Sequence, residues 1–510
     1  MDISTSLYEY MVGYCPEQGH TAISCNGRKW SFDDFLREIE RVAGALQKMG
    51  VRKGDSVGVC LLNSPAAIIT VYAINRAGGI ANIIHPKTNI HKLREILHGT
   101  RTRIVFASSL LLYSQIKAYE GMEVVACGIG SWALASILRG VKSFKLLRGE
   151  YKSVAIEGED IAVYMHSGGT TGVPKTAKLS NRSLNALVIN LFSSIPKSFS
   201  SADAMLAVLP IFHGFGFAIG IHAPLCQRMR VVPWMLFKAK KLAGKVKREK
   251  ITVIPAIPRM LQKLLVTPNF GGAAVKTVTD VFCGGDALSE RVKVEFEELL
   301  KKSGANARVC RGYGLTEMNS VCVLNVDDTP NSIGKPLKNT EVRVRDDEGN
   351  DVKLGNLWLS GEAMMSGYLE PDCKAIVIED GKPWLNTGDI VETDAAGNLF
   401  FKGRAKRLIK ISGMNVFPSE IESVANAMSF VDSSAAVERR VNDKPYIVLY
   451  ITLKDKMLDA AGRVMSECKA QLSQWHVPTD VIVLEAMPMT KMGKIDINAL
   501  TEQANKKYAD

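Results

Sequence analysis

Hydrophobic residues recur along the chain in two alternating patterns, one typical of amphipathic helices and the other of buried strands. Ser31 to Asp34 has the sequence of a capping box, and apolar residues follow it at helical spacing until Gly50. Beyond it, short apolar runs alternate with helix-like segments. The runs are Ser56 to Leu62, Ile80 to Ile84 and Ile104 to Ala107, and the helix-like segments are Ala66 to Ala77 and His91 to Leu97. This alternation predicts βαβ units and a mainly parallel sheet.

Short strand-like runs in the middle of the chain end in turns that are rich in glycine and polar residues. The pairs of run and turn are Ile161 to Met165 with Ser167 to Lys175, Met205 to Leu209 with Pro210 to Gly214, Val278 to Phe282 with Cys283 to Asp286, and Arg308 to Arg311 with Gly312 to Glu317. In open α/β sheets, ligands bind beyond the carboxyl ends of the strands. We therefore expect these turns to line one large cleft.

The pattern changes from about Val342, where short β-like runs are separated by turn signals. Lys402 to Arg407 is a polar junction, and about a hundred residues with their own strands and helices follow it. We predict an α/β protein with a large N-terminal domain, residues 1–405, made of mainly parallel sheets flanked by helices. This domain includes a small β subdomain at about 340–402. A small α+β C-terminal domain follows, residues 406–510.

Composition narrows the class of protein. The chain has 510 residues, of which 46% are hydrophobic and 23% charged, values that are ordinary for a soluble globular protein. The first residues lack the features of a secretory signal, so we expect a cytoplasmic protein. Ten cysteines without a CxxC pair argue against a zinc ribbon or a redox dithiol. Ala204 to Cys226 carries no formal charge and is long enough to span a bilayer, but its prolines and glycines favour a buried strand, a turn and a helix.

The net charge of +12 is compatible with nucleic acid, an anionic membrane surface or anionic substrates. Basic residues occur along the whole chain, and the one dense run is Lys238 to Lys250. Its spacing indicates the solvated face of a helix that turns Leu242 and Val246 inward. No aromatic residues alternate with these charges, as nucleic-acid binding would favour.

The segment Ser167 to Lys175, SGGTTGVPK, has the composition of an anion-binding loop. Its glycines allow successive amide N–H groups to converge on one phosphate, and its threonines and lysine add donors and charge. Pro174 stands where a Walker-type loop requires its second glycine, which excludes the standard P-loop. An ordinary turn after a strand is the alternative interpretation.

Seven motifs in this order resemble the adenylate-forming superfamily, which includes acyl-CoA synthetases, carrier-protein adenylation domains and insect luciferases. They are SGGTTGVPK, FHG at Phe212 to Gly214, YGLTE at Tyr313 to Glu317, TGD at Thr387 to Asp389, GRAKRLIKISG at Gly403 to Gly413, PSEIE at Pro418 to Glu422 and PMTKMGK at Pro488 to Lys494. The resemblance extends from about residue 30 to residue 500. It implies that ATP and a carboxylic acid form an acyl-adenylate, and that a thiol then attacks this intermediate.

The resemblance also implies the roles of individual residues in the first half-reaction. Lys494 would be the catalytic lysine that bridges the substrate carboxylate and the α-phosphate. Thr316 would also lie near the α-phosphate. Glu317 would hold Mg²⁺. The remaining implied ATP- and AMP-binding residues are Ser167, Gly168, Gly169, Thr170, Thr171, Gly172 and Lys175 for the phosphates, Gly284, Gly285, Asp286, Tyr313 and Gly314 for the adenine, and Asp389 and Arg404 for the ribose.

The second half-reaction, by the same resemblance, follows a large rotation of a mobile C-terminal lid domain about Lys406. Ser412 and Gly413 would line the CoA tunnel, where the glycine leaves room for the pantetheine arm. Lys410 would approach the site in this conformation, although an exposed strand lysine is an equally good interpretation.

Three residues depart from the family pattern: Thr176 replaces a common glycine, Arg407 a common acid and His476 a common lysine. None of them removes a group that the chemistry requires. Arg407 leaves open how the hinge is held.

The turn Pro210 to Gly216 suggests the class of acid, because it lacks the aspartate with which amino-acid-activating members pair the substrate ammonium group. Phe212 and its neighbours could wall an acyl or aryl pocket or belong to the core. His213 would close that pocket, meet the thiol tunnel or be structural.

We therefore expect an AMP-forming acyl-CoA synthetase for a fatty or aromatic acid, with ATP, Mg²⁺ and CoA as cofactors and cosubstrates. The alternatives are a ligase that loads an acyl carrier protein, and a non-enzymatic protein that binds nucleic acid or a membrane surface. For the enzyme we expect neither a nucleic-acid partner nor a transmembrane segment.

Overall fold

The computed structural model describes residues 2–14, 19–128, 141–167, 175–373, 375–411, 414–441, 444–490 and 495–506. Among these residues no helix is both long and apolar enough to cross a bilayer. The first elements in chain order are α1 (Leu7–Gly13), β1 (Thr21–Cys25), β2 (Arg28–Ser31), α2 (Phe32–Lys48), β3 (Ser56–Cys60), α3 (Pro65–Arg76), β4 (Ile80–Ile83), α4 (Ile90–Gly99), β5 (Ile104–Ser108), α5 (Leu112–Gln115), β6 (Glu123–Cys127), β7 (Val141–Ser143), β8 (Ile161–Ser167) and β9 (Lys175–Ser180).

The first sheet has seven strands in the order β7-β6-β5-β3-β4-β8-β9. All neighbouring pairs are parallel except β8 and β9, which are antiparallel. Every residue of β3 and β5 is buried, as expected for a parallel sheet that is covered on both faces. The predicted capping box is present at α2, where the Ser31 hydroxyl accepts from the Asp34 amide at 3.0 Å.

The second sheet is built from the next part of the chain together with the N-terminal hairpin. Its elements are α6 (Asn181–Ser194), β10 (Ala204–Ala207), a π-helix (Phe215–His222), α7 (Ala223–Cys226), β11 (Arg230–Pro233), α8 (Ala239–Glu249), β12 (Val253–Ala256), α9 (Pro258–Leu265), β13 (Asp280–Cys283), α10 (Glu290–Lys302), β14 (Arg308–Gly314), β15 (Val321–Leu324) and β16 (Lys335–Pro336). The strand order is β16-β15-β14-β13-β12-β10-β11-β1-β2. The inner pairs are parallel, and antiparallel strands close both edges.

The segment Ala204 to Cys226 forms the predicted strand, turn and helix, although most of the helix is a π-helix. The turn that leaves β10 is held by the buried side chain of Asn63, which follows β3 in the first sheet. Its amide group donates to the carbonyls of Ala207 and Leu209 at 2.9 and 2.7 Å and accepts from the Ile211 amide at 2.9 Å. One side chain thus fixes the two sheets to each other near the candidate site.

The β subdomain is an antiparallel sheet of five strands. They are β17 (Thr340–Arg345), β18 (Leu354–Gly361), β19 (Ile376–Glu379), β20 (Lys382–Thr393) and β21 (Leu399–Arg404). The order is β17-β18-β20-β19, and β21 pairs with β20. The register places Asp389 of β20 directly opposite Arg404 of β21.

The C-terminal part has a hydrophobic core of its own. Its elements are β22 (Ile409–Ile411), β23 (Met414–Val416), α11 (Pro418–Ala427), β24 (Val431–Val441), β25 (Lys444–Leu453), α12 (Ala460–Gln471), β26 (Asp480–Val483) and α13 (Ile497–Lys506). β24 and β25 are antiparallel, β26 is parallel to β25, and helices pack against them. The predicted fold class, α/β with a β subdomain and a small α+β C-terminal domain, is confirmed.

Candidate active site

The turns that follow β10, β13 and β14 meet at the carboxyl ends of these strands, and two glycines permit the contact. A Cβ on Gly284 would lie 2.8 Å from the carbonyl oxygen of Gly312 and 3.6 Å from the ring of Phe215. A Cβ on Gly214 would lie 2.1 Å from the carbonyl oxygen of Asn319, so a side chain there cannot be accommodated without a backbone shift. Three of the turns singled out in the sequence therefore form one contiguous region.

Tyr313 and Arg404 hold the carboxylate of Asp389 from two sides. The Tyr313 hydroxyl donates to Oδ2 at 2.6 Å, and Nε of Arg404 lies 2.8 Å from Oδ1. Burial, together with the charge of Asp389, raises the pKa of Tyr313 well above its usual value, so the phenol stays protonated and remains a donor. The Asp389 side chain is 1% exposed and that of Arg404 50% exposed. Asp389 is thus a buried hydrogen-bond acceptor in a fixed orientation, and the half-exposed guanidinium of Arg404 lies between it and solvent.

Glu317, Tyr368 and Lys175 form a second cluster. Glu317 belongs to a 3₁₀ turn, Thr316–Met318, that directly follows β14. The Tyr368 hydroxyl donates to its carboxylate, and Nζ of Lys175 lies 5.0 Å from the centre of the Tyr368 ring. Burial and the charge of Glu317 raise the pKa of Tyr368. Lys175 and Glu317 thus both contact Tyr368, the lysine over its ring and the carboxylate at its hydroxyl.

The two ends of the glycine-rich loop are paired, because Ser167 of β8 lies opposite Lys175 of β9. A partly buried histidine just before the loop, His166, reinforces this pairing. Nε2 of His166 lies 2.7 Å from Oδ1 of Asn82, whose amide nitrogen donates elsewhere, so Nε2 carries the proton and Nδ1 accepts from the Thr176 hydroxyl at 3.2 Å. Burial lowers the pKa of His166 to about 4, so it is neutral at pH 7. Thr176, a departure from the family pattern, therefore links both ends of the loop.

Several other predicted residues lie on the same turns. Gly285 has φ +85°, a conformation that favours glycine, and the exposed Asp286 accepts from the amide of Ala287 at 2.9 Å. His213 is exposed, and its ring centroid lies 5.6 Å from that of the buried Phe212. Gly314 is the last residue of β14 and lies two residues before the turn that begins at Thr316.

In the hinge region, Lys406 is exposed within a 3₁₀ turn, Ala405–Arg407, and Lys410 is exposed on β22. Arg407 points into the C-terminal part, where it donates to Oε1 of Glu422 at 2.6 Å. The substituted hinge position is therefore anchored on α11. Some predicted residues lie outside the described residues: Gly168, Gly169, Thr170, Thr171, Gly172, Ser412, Gly413 and Lys494, together with the side chain of Ser167.

Tyr368, Glu370 and the Arg311–Glu290 pair were not predicted from the sequence. Glu370 accepts from the amide of Thr176 at 2.9 Å, next to the loop. The buried Arg311 guanidinium donates to the carboxylate of Glu290. Burial alone would raise the pKa of Glu290, but the hydrogen bond and charge of Arg311 outweigh it, so the pKa is lowered. The sequence does carry a signal for Tyr368 and Glu370, because both follow Gly367 in a polar turn of the same kind as the turns after β10, β13 and β14. Arg311 ends the run before one of these turns, but its local pattern does not indicate a partner that lies 21 residues earlier in the chain.

The chain is similar to known proteins over most of its length. Residues 16–369 match the family model described as AMP-binding enzyme, and residues 420–494 match that of the AMP-binding enzyme C-terminal domain. A long-chain-fatty-acid–CoA ligase of Yersinia pestis is 28% identical over 502 residues, covering 90% of this chain and 87% of the relative. An indoleacetate–CoA ligase of Aromatoleum aromaticum is 25% identical over 496 residues, covering 94% of each chain.

Solved structures show the same fold. O-succinylbenzoate coenzyme A synthetase from Bacillus subtilis, in complex with ATP and magnesium ion, superposes with a TM-score of 0.82 at 22% identity, covering 96% of this chain and 98% of that chain. The likeness includes the C-terminal part.

Proposed function

The chain belongs to the AMP-binding enzyme family, as an enzyme of its AMP-forming acid–CoA ligase type, and on this premise we propose that it converts a fatty or aromatic acid into its CoA thioester. The acid first attacks the α-phosphorus of ATP, which forms an acyl–AMP bond and releases pyrophosphate. The thiol of CoA then attacks the acyl carbon, which forms the C–S bond and releases AMP, while the thiol proton leaves to solvent or a base.

The observation that carries the proposal is the buried carboxylate of Asp389, held by Tyr313 and Arg404 beside the Glu317 cluster. An oriented carboxylate can accept from both ribose hydroxyls, and the Tyr313 ring offers a face on which adenine can stack. Gly284, Gly285, Asp286 and Gly314 would provide the rest of the adenine site. The arrangement supports recognition of a nucleoside at the carboxyl ends of the strands.

The phosphate end of the site requires positive charge and oriented amides, because a carboxylate attacks an anionic phosphate. We assign this role to the loop Ser167 to Lys175, with Thr316 near the α-phosphate. Glu317 suits Mg²⁺, which binds through one or two carboxylates together with substrate phosphates. When bound, Mg²⁺ would neutralise charge on the leaving pyrophosphate. The Tyr368 hydroxyl orients the Glu317 carboxylate for this contact.

Lys494 would neutralise the charge between the acid and the α-phosphate. For the second step we propose that residues 406–510 rotate about Lys406 as the hinge. Ser412 and Gly413 would then line the CoA tunnel, and Lys410 would approach the site.

The choice of acid rests on the turn after β10. Its residues, Pro210 to Gly216, include no carboxylate, so an α-ammonium group would lack a partner. Phe212 is buried and its ring centroid lies 4.3 Å from that of His85, which gives an aromatic wall next to the exposed His213. An acid with an apolar or aromatic tail fits this composition better than an amino acid.

Pyrophosphate release with ATP, Mg²⁺ and a panel of fatty, aryl and amino acids, with and without CoA, tests the proposal. We expect release with a fatty or aromatic acid, and CoA thioester when CoA is added. Lys494→Ala should lose pyrophosphate release but retain much of the thioester formation from synthetic acyl-adenylate, whereas Lys491→Ala, its control, should keep both.

Release only with amino acids would contradict the proposed substrate. Discharge of the adenylate onto a carrier protein but not onto CoA would contradict the proposed acceptor. Equal loss of both half-reactions in Lys494→Ala would contradict the two-conformation scheme.

A further inference from the structure

Nearly all of the positive charge excess lies in one segment. Residues 204–279 contain twelve basic residues and one acid, a net charge of +11, whereas the whole chain has +12. The basic residues are Arg228, Arg230, Lys238, Lys240, Lys241, Lys245, Lys247, Arg248, Lys250, Arg259, Lys263 and Lys276, and the acid is Glu249. The rest of the chain is therefore close to electrically balanced, and the family activity does not account for this segment.

Glu249 is buried and neutralises only the inner side of α8. Its carboxylate lies 3.4 Å from Arg230 and 3.5 Å from both Lys245 and Arg248. Lys245 is itself buried, which corrects the prediction that the whole run is solvated, while Leu242 and Val246 point inward as predicted. The lone acid is thus already shared among three cations.

The outer lysines of this region have no such partner. Lys238, Lys240 and Lys241 are exposed, and no carboxylate of the described residues lies within 4 Å of their ammonium groups. They line a shallow cleft of about 550 Å³ between the start of α8 and the end of α9, together with Lys263, Val266 and Pro268. Their charge is therefore directed to solvent from one surface.

Large apolar side chains are exposed in this cleft or within three residues of its lining along the chain. Val266 is 80% exposed, and Met235 and Leu236, which precede Lys238 in the chain, are 43% and 51% exposed. We call Met235, Leu236, Lys238, Lys240, Lys241, Lys263 and Val266 the basic face. Exposed apolar side chains are unfavourable in water. Among lysines, they are suited to a surface with anionic groups above an apolar layer, because each kind of side chain then has a favourable contact.

We propose that the basic face docks on an anionic lipid bilayer. The aliphatic tips would enter the headgroup–acyl boundary, and the lysines would reach lipid phosphates while their methylene stems lie on apolar surface. A nucleic acid would satisfy the lysines but leave Met235, Leu236 and Val266 without a partner, and Trp234, which lines a pocket with Lys240 and Lys241, is only partly exposed to a base. The charges and the apolar tips together therefore favour the bilayer.

α9 connects the basic face to the candidate active site. Ile257, which precedes the first residue of α9, has its Cγ2 3.6 Å from where a Cβ of Gly285 would lie, and Val266 follows the last residue. Eight helical residues span about 12 Å. Docking would thus bring the bilayer surface close to the cleft, while the docking itself does not depend on which acid the enzyme uses.

Co-sedimentation of the full chain with vesicles tests the proposal. We expect binding to phosphatidylcholine vesicles that contain phosphatidylglycerol, no binding to phosphatidylcholine alone, and weaker binding as salt rises from 50 to 200 mM. Lys240→Gln with Lys241→Gln should reduce the partition coefficient about twenty-five-fold, since each lysine contributes about a factor of five. Met235→Ser with Leu236→Ser should reduce it about tenfold or more.

The matched control is Lys301→Gln with Lys302→Gln, which removes two exposed lysines at the end of α10 and should leave binding unchanged. Thermal melts verify that each variant is folded, and the two basic-face variants act through different chemistry. Absence of binding to anionic vesicles, equal binding to neutral ones, or equal loss in the control would overturn the proposal. Tighter binding at the same salt to a single-stranded oligonucleotide or to an acidic carrier protein would also overturn it.

Discussion

Replacing Tyr313 by phenylalanine tests how the buried carboxylate of Asp389 is maintained. The Tyr313 hydroxyl donates to it at 2.6 Å, and the side chain of Asp389 is 1% exposed. Phenylalanine retains the ring, including its packing against Phe401 at a centroid distance of 6.4 Å. The variant therefore removes one hydrogen bond to a charge and almost no packing.

The expected loss follows from the partners that remain. A hydrogen bond to a charged group contributes about 1.5–3 kcal/mol to stability. Water cannot easily replace the hydroxyl at so buried a carboxylate, which favours the upper part of this range, but Arg404 still lies 2.8 Å from the other oxygen. We expect the free energy of unfolding to fall by about 2 kcal/mol.

Urea unfolding at pH 7 without nucleotide measures this loss, with the midpoint and the slope recorded for wild type and variant. Tyr113→Phe is the matched control, because this tyrosine is 83% exposed and the same chemical change should have no effect. A midpoint of Tyr313→Phe equal to that of the control would refute the reasoning.

A double-mutant cycle tests the assigned partner. In an Asp389→Asn background the hydroxyl meets a neutral amide, so Tyr313→Phe should cost clearly less, about 1 kcal/mol or below. The same cost in both backgrounds would show that the hydroxyl acts through another group.

Three further predictions concern other parts of the site and its support. Tyr368→Phe removes the hydrogen bond on Glu317 and should raise the Mg²⁺ concentration for half-maximal pyrophosphate release about tenfold, whereas an unchanged Mg²⁺ titration would contradict this role. Burial lowers the pKa of His222 to about 3, so below pH 6.5 the unfolded chain binds a proton that the folded chain does not. This residue should therefore lower the free energy of unfolding by about 2 kcal/mol between pH 7 and pH 5. The urea midpoint of His222→Gln should fall less than that of the wild type over the same pH range. Equal falls in the two proteins would contradict this role of His222. Gly214→Ala places a Cβ 2.1 Å from a backbone oxygen and should destabilise by about 2 kcal/mol or more, while Gly244→Ala, which meets no atom within 4 Å, should not destabilise.

The sequence predicted the fold class because the relevant signals are local. The capping box at Ser31 and the buried runs that became β3, β4 and β5 are short-range patterns with a direct physical cause. The antiparallel edge strands β2, β15 and β16 could not be placed, because their pairing depends on partners rather than on their own pattern.

The turns that form the candidate site could be predicted from the sequence, because each of them directly follows a strand-like run. The contacts between those turns could not be predicted, since Tyr368 reaches Glu317 across 51 residues and Asp389 reaches Tyr313 across 76. The role of Thr176 could not be predicted for the same reason. Its contact with His166 depends on the antiparallel pairing of β8 with β9, which places the two residues opposite each other.

The second sheet incorporates a strand from the opposite end of the N-terminal domain. β1 pairs in parallel with β11, and Cys25 contacts Pro233 at a separation of 208 residues. At synthesis rates of 5–20 residues per second, the hairpin of β1 and β2 leaves the ribosome roughly 10–40 s before its neighbour exists. During that interval the inner edge of β1 has no strand to pair with, while the first sheet can already form. The slowest part of assembly on the ribosome should therefore be the capture of this early hairpin by the last-made half of its own sheet.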